Sequence, residues 1–100
     1  MEARRLNISK VASRKLYAQS QWYYEHRDAS FVRTMLQHFE SDVTTLRHTP
    51  TIGKKFSHSA KREYRAYVSN HKCIIIYRYT TRTLYITDLV FTDTHSTRLF

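Results

Sequence analysis

A chain of 100 residues, 41% hydrophobic and 14% aromatic, has the material for one modest core and is too apolar to stay disordered. Seventeen Lys and Arg stand against eight Asp and Glu, a net charge of +9, which points to nucleic acid or an acidic protein segment as partner. One glycine, one proline and one cysteine exclude a Gly-rich phosphate loop, low-complexity linkers and an internal disulfide.

The basic excess leans toward the C-terminal half. Eight Lys and Arg face five Asp and Glu up to residue 50, and nine face three beyond it. The opening MEARRLNISK has no apolar stretch behind its charges, so no signal peptide is expected. The longest apolar run begins at Cys73 and covers about five residues, far short of a membrane span. A lone cysteine in such a run reads as a buried thiol in a reducing cytoplasm.

In chain order, Leu6 and Ile8 alternate with polar residues and predict a short strand. Residues 11–27 (VASRKLYAQSQWYYEHR) place Val11, Ala12, Leu16 and Tyr23 on one helical face, flanked by Trp22 and Tyr24. A tight link near residues 27–29 leads to a second helix over 29–47. There Val32, Leu36, Phe39, Val43 and Leu46 recur at steps of four and three, widened by Phe31 and Met35. Asp28 or Ser30 caps its start, and Pro50 follows its end. So short a link makes the pair an antiparallel hairpin.

Residues 48–62 (HTPTIGKKFSHSAKR) are the one long irregular stretch and hold both the glycine and the proline. The period then changes. Residues 63–69 (EYRAYVS), 73–80 (CIIIYRYT) and 83–91 (TLYITDLVF) are rich in β-branched and aromatic residues and predict three strands, with turns at 70–72 and 80–82. CIIIY lacks clean alternation, which predicts a central strand buried on both faces. The expected architecture is a single α+β domain over 1–100: a short N-terminal strand, an antiparallel helix hairpin and a three-stranded antiparallel meander.

That order resembles the RelE/ParE superfamily of bacterial toxins. The motifs are TPTIGKK closing the second helix, then YR, CIIIYR and LYITDLVFTDTH. The resemblance spans essentially the whole chain. It implies the toxic half of a type II toxin–antitoxin pair. RelE-type members cleave mRNA on the ribosome without a metal; ParE-type members inhibit DNA gyrase and have no recognised active site. The hairpin and HTPTIGKK look ParE-like. The closing TDTHSTRLF resembles the YafQ branch of the ribonucleases, whose terminal His acts on the scissile phosphate; that role carries over to His95. Where the branch has a further His and Asp, this chain has Val68 and Lys72. The terminal Leu99–Phe100 pair is expected to dock the tail against the sheet and so position His95.

Cleavage by the 2′-OH needs one group to take a proton, one to give a proton, and cations around the phosphorane. A histidine suits either proton role, typically worth ~100-fold or more in rate, and Arg and Lys supply charge without a metal. His95 and Arg65 are therefore the candidate catalytic residues. Lys54, Lys55, Arg62, Arg78 and Arg98 are the candidate RNA and phosphate contacts. The six histidines show no metal-ligand spacing, so neither metal nor cofactor is expected. Cys73, in an apolar strand, has no claim as a nucleophile. The tyrosines of YRAY and YRYTTRTLY either stack bases or pack the sheet.

Three functions follow: a ribosome-dependent mRNA endonuclease, toward which the tail leans; a ParE-type gyrase inhibitor; and a basic nucleic-acid-binding module without toxicity. Either toxin implies an acidic antitoxin that wraps the groove beside the hairpin and the basic stretch 54–65 in a toxin–antitoxin hetero-oligomer. The ribosome and mRNA, or gyrase, would be the target, and no membrane is involved.

Overall fold

In the computed structural model, which describes residues 3–55, 63–69 and 72–92, both helices start at a side-chain cap. Ser9 is extended, and its Oγ accepts the Ala12 N–H at 3.0 Å to open α1 (Lys10–His26). The same hydroxyl donates to the Thr87 carbonyl at 2.9 Å, so one residue starts the helix and ties it to the sheet. Asp28 opens α2 (Ala29–His48), its Oδ1 accepting the Phe31 N–H at 2.8 Å and the Ser30 hydroxyl at 2.9 Å. The Phe31 N–H, then the Ser30 hydroxyl, hold this carboxyl below the ordinary Asp range. Arg27 and Asp28 alone separate the helices, and Tyr23 packs on Phe31 across the link at a ring distance of 4.6 Å.

The sheet has five strands: β1 (Arg5–Ile8), β2 (Lys54–Lys55), β3 (Arg65–Ser69), β4 (Cys73–Tyr79) and β5 (Thr83–Phe91), in the order β1-β5-β4-β3-β2. The expected meander is β3-β4-β5, each pair antiparallel. The N-terminal strand lies parallel beside β5: the helix hairpin carries the chain from β1 at one edge of the sheet to β2 at the other, and the antiparallel return through β3 and β4 brings β5 alongside β1. One strand was not anticipated: β2, two residues inside the stretch read as irregular, pairs antiparallel with β3. Lys72 turns the chain into β4 with φ 62, and its carbonyl accepts the Thr92 N–H at 2.8 Å, fastening the end of β5.

The helices cover one face of the sheet. Ala12, Val43 and Leu46 pack on Cys73, Ile75, Tyr77, Leu84, Ile86 and Leu89 in one buried cluster. β4 is central, as expected, but it is not buried on both faces. Cys73, Ile75 and Tyr77 are buried, whereas Ile74, Ile76 and Arg78 are half-buried. The helix stripes are likewise trimmed. Val11 and Leu36 are exposed, and α2 buries its apolar stripe chiefly at Met35, Val43 and Leu46.

Candidate functional site

The irregular stretch after α2 is held by two side chains from the sheet. Tyr77 is fully buried, and its hydroxyl donates to the Pro50 carbonyl while accepting the Gly53 N–H at 3.0 Å. Burial pushes the pKa of this hydroxyl up. Gly53 has an ordinary φ of −76, so its lack of a side chain answers a need for space. A Cβ there would lie 2.9 Å from Tyr77 Cε1 and 3.0 Å from the Ala66 carbonyl oxygen, and closer still to the Tyr77 hydroxyl.

Arg65, the expected partner of His95 in catalysis, completes this clamp. One Nη donates to the Thr51 and Gly53 carbonyls at 3.0 and 2.7 Å; the other lies 3.1 Å from Glu63. The side chain is 12% exposed, and its charged end lies 5.9 Å from the Tyr79 ring centroid. Its Nε is buried without a partner among the described residues. Lys55 Nζ sits 3.5 Å from the same Glu63. The local reason is register: Arg65 stands opposite both Tyr77 and Lys55, so all three belong to the helix-side row of the sheet.

Lys54 stands opposite Ala66, in the alternate row, and Arg78 belongs to that open side too, its guanidinium 3.9 Å from the Tyr85 ring centroid. The described candidates are therefore divided between two faces: Arg65 and Lys55 on one, Lys54 and Arg78 on the other. His95, Arg62 and Arg98, with the Leu99–Phe100 pair, lie outside the described residues. The positions that hold a further His and Asp in the YafQ branch fall at Val68, pointing away from the helices, and at the left-handed Lys72.

What the open face offers instead is apolar. Val68, Ile74 and Val90 stand opposite one another across β3, β4 and β5, with Ala66 and Ile76 in the next row. Val68 is 70% exposed and Val90 43%. On the same face Lys54 stands one step along the strands from this row, Arg78 two steps, and Arg5 at the far end of β5; Asp88, at the bulge opposite Ile76, is paired with Lys15 of α1 at 2.8 Å. The signal for this patch was present in the sequence, where Val68 and Val90 alternate with strand residues that face the core. Reading CIIIY as doubly buried hid it.

Cys73 lines a small cavity between the hairpin and the sheet, with Leu16, Phe39, Asp42 and Ser69, that has room for about one water molecule. Burial, reinforced by the charge of Asp42, pushes the thiol pKa up to about 12. That removes it as a nucleophile. Among the described residues no three His, Cys, Asp or Glu gather as metal ligands, and no helix is long and apolar enough to cross a membrane.

No family model and no curated protein matches the chain. Its fold does match a solved structure, a chain of the chromosomal ParDE TA system from P. aeruginosa, with a TM-score of 0.72. The match covers 91% of this chain and 98% of that one at 14% identity. The α+β architecture that the sequence resemblance implied, of the RelE/ParE kind, is thus the one observed.

Proposed function

We propose that this protein is the toxin of a type II toxin–antitoxin pair and that it arrests growth by binding a protein target, DNA gyrase in the ParE manner, without cutting RNA. The fold supports the first half of this reading. The second rests on one observation: Arg65, the described residue best suited to stabilise a phosphorane, has both Nη groups engaged by the Thr51 and Gly53 carbonyls and by Glu63. A guanidinium so engaged would have to break its own fold contacts to reach a substrate. Val68 and Lys72, at the places of the YafQ-branch helpers, supply neither the histidine nor the carboxylate of that branch. An acidic antitoxin covering the basic surface, in a cytoplasmic hetero-oligomer, belongs to the same reading.

RNA cleavage on the ribosome is the second reading, favoured by Lys54 and Arg78 on the open face together with the His95 tail. Substituting His95→Gln separates the two. Under the binding reading, cells expressing the variant stop growing as they do with the wild type, and neither protein fragments mRNA on the ribosome. Loss of both arrest and cleavage in His95→Gln would establish the nuclease in its place.

A further inference from the structure

We infer that the open face of the sheet, centred on the Val68–Ile74–Val90 row, is the surface that grips the target, and that its occupant is an apolar protein segment edged with acidic residues. This rests on the proposed toxin function and adds where the target binds and with what chemistry. A row of aliphatic side chains on three adjacent strands, with Val68 70% exposed, forms a contiguous apolar patch of the kind that is often functional. The helix hairpin packs on the opposite face, so among the described residues nothing covers the row.

The surrounding charge selects the partner. Lys54, Arg78 and, farther along, Arg5 belong to this side, and Asp88, at the bulge opposite Ile76, is paired with Lys15. A second copy of the chain would bring like charges together. Nucleic acid would answer the charge but not the centre, since valine and isoleucine neither stack on bases nor bond phosphate. Tyr85, on this side, already has the Arg78 guanidinium 3.9 Å from its centroid. An apolar row with cations along one side of it describes a protein–protein interface.

The test uses Val68→Glu and Val68→Lys, with Val90→Glu repeating it on another strand. A Tyr17→Ala/Tyr24→Ala double variant on the outer face of α1, where both rings are more than 60% exposed, serves as the comparison. All four alter exposed positions and are expected to unfold close to the wild-type temperature. Affinity for purified gyrase and growth arrest on expression are measured side by side. Both Val68 variants and Val90→Glu are expected to bind gyrase at least about 30-fold more weakly and to relieve arrest, because any charge buried in the centre must be desolvated. The tyrosine variant should stay within about twofold of the wild type.

If Val68→Glu is impaired while Val68→Lys binds as well as the wild type, the occupant is a polyanion and the inference is wrong. It is equally wrong if no variant matters, or if the wild type is a dimer in solution that Val68→Glu dissolves. If the wild type arrests growth without binding gyrase, gyrase is the wrong target, and relief of arrest by both Val68 variants still supports this surface. If the wild type does not arrest growth, the toxin reading falls and this inference with it.

Discussion

Gly53→Ala is expected to destabilise the protein by about 3 kcal/mol, the sum of overpacking and of at least one buried polar group left without its partner. The added Cβ would collide with the Tyr77 hydroxyl and lie 2.9 Å from Cε1 and 3.0 Å from the Ala66 carbonyl. None of the three has room to yield. Tyr77 is fully buried, and moving it breaks its bonds to Pro50 and Gly53; moving the Ala66 carbonyl disturbs the β2–β3 pair. Against a total stability of ~5–15 kcal/mol for a domain of this kind, such a loss is a large shift in the urea midpoint. A Tyr77→Phe background removes the hydroxyl from the collision, so the further cost of Gly53→Ala should be smaller there than in the wild type. Equal costs in the two backgrounds would show that Tyr77 and Gly53 do not act as one unit.

Arg65→Ala is expected to cost about 2 kcal/mol, because it leaves the Gly53 and Thr51 carbonyls and Glu63 without the donor they share. Arg65→Lys should recover little of it, since one ammonium does not reproduce a fork that meets two carbonyls and a carboxylate at once. At temperatures where the variant remains folded, growth arrest should persist. Unchanged stability with abolished arrest would mean that Arg65 works on a substrate, not on the turn.

Much of this fold could be read from the residues, because the signals were local. The cap at Asp28, the four–three stripe of α2 and the β-branched runs each act within a few positions. The parallel placement of β1 was not legible, since Leu6 and Ile8 reveal a strand but not its neighbour. Nor was β2, because two lysines have no period. The candidate site failed on register. Arg65, Lys54 and Lys55 are close in space, yet a strand sends alternate residues to opposite faces, and only the pairing of Arg65 with Tyr77 and of Lys54 with Ala66 settles which go where. The apolar face was missed for a related reason. Three consecutive isoleucines look the same whether both faces are covered or one, and only the placement of the helices decides.

The most direct measurement is supercoiling of relaxed plasmid by purified DNA gyrase in the presence of this protein. The expected result is inhibition by the wild type and, equally, by His95→Gln. Supercoiling that proceeds unhindered at any excess of protein, while mRNA is cut on ribosomes under the same conditions, would contradict the binding mechanism.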